Sequence, residues 1–259
     1  MTTAFDPAPA ARLLADTCRS STQIAGLAET MRPSTLDQGY DVQDRLVALC
    51  KDPVAGWKLG QGSPKAMRAA KLERPLVGRV LASRCHPAGS TIAVGRSGAA
   101  TVEIEIAFRL AEDVTPASPP RPARERIGTT FLASEVIVSR YADRKSAGLP
   151  SYLAENVGFE ALVLGPTIDP GDIPGLSAAV TVDCDGKRVA GAQSGEDAID
   201  PYLALDHLIA HARHRGLTLR RGEIVTTGTI SNPFDVSGPQ ARIAARAGRH
   251  TLQFGLRWP

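Results

Sequence analysis

From Pro53 onward the sequence is a succession of short apolar runs separated by glycine and proline residues. The runs fall at residues 54–60, 76–82, 90–94, 101–110, 161–164, 178–183, 188–192, 223–227 and 251–256. Runs of this length between frequent breakers are typical of β-strands, because a buried helix needs a longer segment. The dipeptide Asp185-Gly186 between two of the runs also predicts a tight hairpin turn. The pattern therefore predicts a strand-rich core over residues 53–259.

The N-terminal part of the chain has the apolar spacing of helices instead. Residues 8–31 suit one or two short amphipathic helices, and a further helix is predicted to begin at Ser34, a good capping residue, and to run through Leu49. Within the core, one helix is predicted to open at Pro201. We therefore expect an α+β protein in which residues 1–52 form a helical N-terminal region attached to a single structural unit.

Composition limits the classes of function. A chain of 259 residues with 43% hydrophobic content can build one large core. The net charge is only +3 and the basic residues are not interleaved with aromatic ones, so we expect no nucleic-acid partner. The four cysteines form no C-x-x-C pair, which argues against a disulfide framework and fits a reducing cytoplasm. No segment reads as a signal peptide or membrane span, so we expect a cytoplasmic protein without membrane contact.

Two glutamates lie one residue apart in the otherwise apolar segment 101–108. Because strand side chains alternate, Glu103 and Glu105 share one face, where their carboxylates repel each other unless a cation lies between them. Glu135, embedded among β-branched residues, would complete an all-oxygen site suited to Mg²⁺ or Mn²⁺. The other interpretation is a solvated strand face for the pair, with Glu135 on an edge strand or paired with Arg140. The short segments alone favour that second interpretation.

Other polar groups are candidates for substrate contacts. Lys58 lies between two glycines, where the backbone can approach a ligand and the ammonium can polarise a carbonyl or exchange protons. Asn156 and Thr229 stand beside apolar runs as possible substrate ligands. A surface turn for the lysine and capping roles for the other two fit the sequence as well.

Several patterns restrict the chemistry further. Residues 111–128 contain four prolines and predict either a lid or a mobile surface loop. His207, His211 and His214 share a helix face without the H-E-x-x-H arrangement, so an outward helix face is favoured over a metal site. No G-x-S-x-G elbow, Walker loop or dinucleotide fingerprint occurs, and no organic cofactor site is predicted.

Taken in order, these segments resemble the 2-keto-4-pentenoate hydratase / 4-oxalocrotonate decarboxylase group of the fumarylacetoacetate hydrolase superfamily. The resemblance rests on residues 40–43, 56–60, 102–108, 135–140, 155–156, 162–165 and 222–228. It implies a mixed β-sheet roll or barrel core and a homo-oligomer, with a possible complex with a pathway enzyme. It also implies a set of site residues. These are Glu103, Glu105 and Glu135 as metal ligands, Lys58 and Glu135 as catalytic groups, and Lys58, Asn156 and Thr229 as substrate contacts.

The resemblance implies an enzyme that binds a small 2-oxo acid through the metal. The reaction implied first is hydration of a 2-hydroxypenta-2,4-dienoate to a 4-hydroxy-2-oxo acid. Two positions depart from the hydratase pattern, since Leu76 stands where the family commonly has aspartate and Gly158 where hydratases tend to have serine. Decarboxylation of an unsaturated 2-oxo diacid is therefore the main alternative. A carbon–carbon hydrolase of acylpyruvates, which would need a histidine in the proline-rich loop, and a non-catalytic partner protein follow.

Overall fold

A computed structural model describes residues 5–95 and 98–258. The helices are α1 (Ala8–Ser20), α2 (Leu36–Cys50), α3 (Pro64–Ala69), α4 (Leu149–Ala154), α5 (Ile173–Ala179) and α6 (Pro201–His214). The first seven strands are β1 (Val54–Gly60), β2 (Leu76–Leu81), β3 (Cys85–Pro87), β4 (Thr91–Ala93), β5 (Ala100–Leu110), β6 (Ile127–Ile137) and β7 (Phe159–Ile168). The others are β8 (Thr181–Cys184), β9 (Lys187–Gly191), β10 (Ile224–Thr229), β11 (Phe234–Val236), β12 (Gln240–Ala247) and β13 (His250–Arg257).

The strands form two sheets. The larger has the order β2-β1-β10-β5-β6-β7-β3, with β11 added beside β5. In it, β1 pairs with β10 and β3 with β7 in parallel, whereas the other neighbours are antiparallel. The smaller sheet has the order β4-β13-β12-β8-β9. The predicted mixed, strand-rich core with a helical N-terminal region is thereby confirmed, and the division at residue 52 remains a prediction.

Local sequence explains most element boundaries. The predicted hairpin is present, because Cys184 pairs with Lys187 across Asp185-Gly186. Helix α2 is capped by Thr35, one residue later than predicted, since its hydroxyl accepts from Gln38 N at 3.2 Å.

Strand β12 is absent from the predicted runs because its residues are mainly alanine, arginine and glutamine, which have little β propensity. It is a strand because it pairs with β13 on one side and β8 on the other. Its alternate residues enter the core. They are Ala241, Ile243, Ala245 and Ala247. Tertiary pairing therefore overrides local preference in this segment.

Both faces of the larger sheet are covered. One face shares a hydrophobic cluster with the smaller sheet and α6. The other face packs against the side of α2 that carries Val47 and Cys50. In β5, every residue except Glu103 and Arg109 is buried. The solvated-face interpretation of the glutamate pair is therefore wrong, because Glu105 is fully buried and Glu103 is only partly exposed.

Helix α2 is fastened to the sheet by hydrogen bonds from its inner face. Gln43 Nε2 donates to the carbonyl oxygens of Val77 and Leu153, both at 3.0 Å. Val77 N donates to the Tyr40 hydroxyl at 3.1 Å. These bonds join α2 of the N-terminal region to β2 and α4. The helix therefore covers one face of the larger sheet in a defined position.

The proline-rich loop does not cover the glutamates. It joins β5 and β6 at the end of the strand pair opposite to Glu103 and Glu135. Val114 exchanges two backbone hydrogen bonds with Leu219, at 2.8 and 3.0 Å. Arg126, which is 1% exposed, donates to Glu112 at 2.8 Å. The lid interpretation is therefore wrong, because the loop is anchored at the far end. No described helix has the length and apolar content that a membrane span requires.

His211 is buried beneath α2, with its ring 4.7 Å from that of Tyr40. Burial disfavours the imidazolium and nearby arginines repel it, which lowers the pKa of His211 to about 3. These arginines are Arg79, Arg215 and Arg74. The unfolded chain therefore takes up a proton near the normal histidine pKa of 6.5 that the folded chain resists.

We predict an acid-labile contribution to stability from His211. The contribution is intact above about pH 6.5 and is lost progressively as the pH falls toward 3. At pH 5 the loss amounts to about 2 kcal/mol. His211→Phe keeps a packed ring without a titrating group, so its urea-unfolding free energy should fall less between pH 7 and pH 5. His214→Gln, at an exposed position of the same helix, is the control and should follow the wild type. Equal losses in His211→Phe and wild type would contradict the assignment.

Candidate active site

Three glutamates converge on the sheet face that α2 covers. Glu103 lies directly opposite Glu135 in the β5–β6 register, and Glu105 lies two residues further along the same face. One carboxylate oxygen from each lies within 4.8 Å of the other two. Glu105 and Glu135 are fully buried, whereas Glu103 is partly exposed. The structure therefore brings together the three residues predicted as metal ligands, and the role itself remains a proposal.

Two carboxylate oxygens in this cluster lack a hydrogen-bond donor. Glu105 Oε2 accepts from Gly228 N at 3.0 Å. Within the described part of the chain, no donor other than the carboxyl groups of the cluster itself reaches Glu105 Oε1 or Glu135 Oε2. Buried carboxylate oxygens without partners are costly, and three acids facing one buried lysine leave negative charge uncompensated. A divalent cation that prefers oxygen ligands, such as Mg²⁺ or Mn²⁺, fits this donor set.

The electrostatics of the acids agree with that fit. Burial raises the pKa of Glu103 to about 7, helped by Glu135 and opposed by Lys58 and Arg144. Burial, with Glu135 and Glu103 as like charges, raises the pKa of Glu105 well above its usual range. Burial also raises the pKa of Glu135, although the adjacent Lys58 ammonium opposes the shift. The three groups therefore resist ionising together unless a cation joins them.

Lys58 is buried beside the acids. Its Nζ lies 2.7 Å from Glu135 Oε1 and donates to the Val157 carbonyl oxygen at 3.1 Å. Burial disfavours its ammonium and is the largest single effect, but the combined attraction of Glu135, Tyr152 and Glu103 outweighs it and raises the pKa of Lys58. The alternative pairing of Glu135 with Arg140 is wrong, because Lys58 takes that position. A surface turn for Lys58 is equally wrong, since it is 1% exposed.

A strained turn presents the Val157 carbonyl to Lys58. Asn156, Val157 and Gly158 have φ angles of 66°, 54° and 69°, all in the left-handed region. That region is unfavourable for a β-branched residue such as valine. Asn156 steadies the turn, because Oδ1 accepts from Arg79 N at 2.7 Å and Nδ2 donates to Arg79 O at 2.8 Å. The predicted substrate contact of Asn156 is thus without support, since both ends of its amide bind the backbone.

Gly78 gives Lys58 the space it occupies. The two residues are paired across β1 and β2. A Cβ atom at position 78 would lie 2.8 Å from Lys58 Cγ and 2.9 Å from Cδ, closer than side chains pack. Lys58 cannot swing aside, because both Glu135 and Val157 hold its Nζ. The glycine is therefore a requirement of the lysine's position.

Two threonines on β10 differ in availability. Thr229 Oγ1 lies 2.7 Å from Ser231 O and 3.3 Å from Ile104 O, so its predicted substrate contact competes with backbone partners. Thr226 is in register with Lys58 and fully buried. Among residues 5–95 and 98–258, its Oγ1 has no hydrogen-bond partner. The hydroxyl of Thr226 is thus more available for a substrate contact than that of Thr229.

Tyr152 of α4 is a neighbour that its sequence context did not reveal. Burial raises the pKa of its hydroxyl to about 12, while the nearby Lys58 opposes the shift. A Cβ atom at Gly158 would lie 3.6 Å from that hydroxyl oxygen. Only the three-dimensional packing of α4 onto the left-handed turn brings Tyr152 to the site. No local signal distinguishes it from a core tyrosine.

The helix-spaced histidines do not form a second metal site. His211 is packed against Tyr40 inside the protein, whereas His214 is exposed. Apart from the glutamate cluster, no group of three potential metal ligands converges in the described residues.

A mixed sheet with buried carboxylates and one buried lysine on a single face defines a candidate metal-dependent enzyme. The family model of the fumarylacetoacetate (FAA) hydrolase C-terminal region matches residues 59–255, and the chain therefore belongs to this family. The match begins at Leu59, one residue after Lys58, ends within β13 and includes every acid of the cluster. The superfamily predicted from the sequence is thus confirmed.

Solved structures show the same fold. The 4-oxalocrotonate decarboxylase from Pseudomonas putida G7, complexed with magnesium and adipate, matches with a TM-score of 0.83 and 19% identity, over 98% of this chain and 97% of that one. The fumarylpyruvate hydrolase from Pseudomonas aeruginosa, in complex with Mn²⁺ and pyruvate, matches with a TM-score of 0.58 and 17% identity, over 80% and 91% of the chains. The first similarity includes the N-terminal helices, since it covers nearly the whole chain.

We predict that Gly78→Ala displaces Lys58 and destabilises the fold. The added methyl group overpacks a position with no room to relax, so the urea-unfolding free energy should fall by about 1–3 kcal/mol. Gly175→Ala in α5 is the matched control, because a Cβ there meets nothing within 4 Å. It should leave stability unchanged or raise it by up to about 1 kcal/mol. Equal stability of the two variants would contradict the close packing of Lys58 on Gly78.

Proposed function

We propose that this protein is a divalent-metal-dependent lyase that acts on a 2-oxo acid or its enol. The observation that carries the proposal is the buried cluster of Glu103, Glu105 and Glu135, with two carboxylate oxygens lacking donors. Such a cluster is unfavourable as a structural element, because unpaired buried charge costs several kcal/mol. It is the arrangement expected of a cation site with positions left open for a ligand.

Mg²⁺ or Mn²⁺ is the cation proposed for this site. The donor set consists of carboxylate oxygens only, which suits these hard ions. The related decarboxylase and hydrolase structures are complexes with magnesium and Mn²⁺, and one of them also holds pyruvate, a 2-oxo acid. When bound, such an ion supplies a Lewis acid that withdraws electron density from a 2-oxo group.

Lys58 supplies a fixed positive charge next to that position. An ammonium has three N–H groups, and Lys58 uses two of them on Glu135 and Val157. No other described residue accepts the third. We assign this N–H to an oxygen of the substrate, where it stabilises the negative charge that develops as an enolate forms. The strained turn and Gly78 hold the donor in place before the substrate arrives.

Thr226 is the proposed second polar contact. Its hydroxyl lies on the strand position adjacent to Lys58 and has no other partner in the described chain. A substrate carboxylate or hydroxyl group would satisfy it at little reorganisation cost. Thr226 therefore replaces Thr229 as the expected ligand from β10.

Decarboxylation of an unsaturated 2-oxo diacid is the reaction that these surroundings favour. Leu76 pairs with Gly60 in the register that pairs Gly78 with Lys58, so it lies on the same face as the lysine. Leu76 is 1% exposed, and it places a hydrocarbon group where an aspartate could activate water. Glu155 is occupied, because its carboxylate accepts from Ser139 and from Arg140 N. Loss of carbon dioxide needs an electron sink and no water-activating acid.

Hydration of a 2-hydroxypenta-2,4-dienoate is the second candidate. The observation in its favour is the Tyr152 hydroxyl, which lies beside Gly158 near Lys58 and can hold a water molecule. In that case a tyrosine takes the position of the serine that hydratases tend to carry.

We predict turnover of an unsaturated 2-oxo diacid with release of carbon dioxide in the presence of Mg²⁺ or Mn²⁺. The purified protein is incubated with three substrate classes, and the products are identified by NMR. The classes are unsaturated 2-oxo diacids, 2-hydroxydienoates and acylpyruvates. A 4-hydroxy-2-oxo acid as the main product would establish hydration instead, and cleavage of acylpyruvates would establish a hydrolase. Inertness toward all three would overturn the proposed function.

We predict that Glu103→Gln with Glu105→Gln abolishes both turnover and stabilisation by Mn²⁺. Removing two anionic ligands eliminates several kcal/mol of charge stabilisation, so turnover should fall by about 1000-fold or more. Thermal unfolding with and without Mn²⁺ gives a second readout that does not depend on the substrate. Glu112→Gln, in the anchored loop, is the control and should keep both properties. Retention of the Mn²⁺ shift in the double variant would exclude the cluster as the metal site.

A further inference from the structure

A cavity outside the candidate active site is lined by Asn156 of the left-handed turn but not by Lys58. Its volume is about 620 Å³, and none of the clustered glutamates lines it. The walls include Cys18 of α1, Cys50 at the end of α2, and Arg140 after β6. Of the four cysteines in the chain, all of them described, none forms a disulfide. The cavity therefore places two thiols and one arginine at a common surface.

The guanidinium of Arg140 is directed at one of these sulfur atoms. Arg140 is only 5% exposed, and its Nε and Nη2 lie 2.9 and 2.8 Å from Cys18 Sγ. Two charge-assisted N–H groups converging on one sulfur stabilise a thiolate. The third side-chain contact, from Nη1 to the carbonyl oxygen of Glu155 at 2.6 Å, fixes the plane of the guanidinium.

Cys50 has the complementary environment. Its thiol shares a hydrogen bond with Cys18, and this bond together with burial raises the pKa of Cys50. Cys50 therefore favours its protonated form, and it lies next to the sulfur atom on which two N–H groups of Arg140 converge. A stabilised thiolate beside a second thiol is the arrangement of a nucleophilic and a resolving cysteine.

We propose that Cys18 and Cys50 form a peroxide-sensitive dithiol. The Cys18 thiolate attacks one oxygen of a hydroperoxide, the O–O bond breaks, and the departing oxygen leaves as water or an alcohol after protonation. Cys18 becomes a sulfenic acid. Cys50 then loses its proton and attacks that sulfur, a water molecule departs, and a Cys18–Cys50 disulfide remains. The dithiol loses two electrons and two protons, and the peroxide is reduced.

The dithiol is connected to the candidate active site through Arg140. Arg140 N donates to Glu155 Oε2, and its side chain donates to Glu155 O. Two residues later, the Val157 carbonyl accepts from Lys58 Nζ. A disulfide removes one of the anionic partners of Arg140, the others being Glu155 and Glu160, and so loosens the guanidinium that donates to Glu155 O. We therefore expect oxidation to lower turnover, and this consequence rests on the proposed function. Formation of the disulfide is independent of the proposed function.

Selective thiol reactivity tests the dithiol directly. At neutral pH, iodoacetamide should alkylate Cys18 at least about tenfold faster than Cys85, whose exposure is similar but whose pKa burial raises to about 11. The rate at Cys18 should also level off at lower pH than the rate at Cys85. The substitution Arg140→Gln should lower the alkylation rate of Cys18 to that of Cys85. Equal rates at the two cysteines of the wild type would overturn the proposal, even if the arginine variant does not fold.

The disulfide itself is measured on the folded full-length protein. Hydrogen peroxide should remove two hydrogen atoms from the intact mass, and peptide mapping should show Cys18 joined to Cys50. Cys50→Ser should stop at the sulfenic acid, whereas Cys184→Ser is the control and should still form the bond. A mapped disulfide with any other pairing, or further oxidation of Cys18 without a disulfide, would overturn the proposal. Faster amide hydrogen exchange in residues 155–158 after oxidation tests the coupling independently of turnover, and unchanged exchange would refute it.

Discussion

The buried ion pair between Lys58 and Glu135 is the interaction on which the site depends. The two charged atoms lie 2.7 Å apart, and both side chains are almost completely excluded from solvent. Such a pair contributes little net stability, because desolvation offsets most of the attraction, but the loss of one partner leaves a buried charge that is strongly unfavourable. The neighbouring structure must therefore hold both groups in register.

The surrounding sequence meets this requirement at a local energetic cost. Gly78 leaves a gap in the strand beside Lys58, and Val157 adopts a left-handed backbone that costs about 1–3 kcal/mol. Both features are unfavourable by themselves and persist because tertiary contacts impose them. The helical N-terminal region contributes by excluding water from the same sheet face, where Gln43 ties α2 to β2 and α4. Close packing on a glycine and a left-handed valine thus occur together beside Lys58.

Features that depend on local pattern were predictable from the sequence, and features that depend on long-range packing were not. The glutamate pair, the acid at Glu135 and the glycine-flanked Lys58 could be identified because each interrupts an apolar run in a recognisable way. Most strands and the hairpin at Asp185-Gly186 follow from the same kind of signal. The resemblance to a known family then joined segments that are distant along the chain.

The remaining features have no local signature. Strand β12 consists mainly of poor strand formers and exists because two neighbours pair with it. The carbonyl of Val157 is a functional group that any residue type would supply, so its role depends on backbone geometry alone. One partner of the Arg140 side chain is Cys18, 122 residues away, and no sequence pattern predicts that contact. The anchored loop was misassigned because its prolines indicate irregular structure without indicating where it packs.

The parallel pairing of β1 with β10 also orders events during synthesis of the chain. Lys58 is synthesised long before two groups that complete the site: Thr226 beside it and the Gly228 amide that donates to Glu105. Contacts across such separations form slowly, because a long stretch of chain must be closed before they are gained. Until β10 has been synthesised, one edge of β1 is unpaired, and Trp57 and Lys58 lack their neighbours on that side. The glutamates therefore acquire their final geometry only after β10 has been synthesised and has paired with β1 and β5.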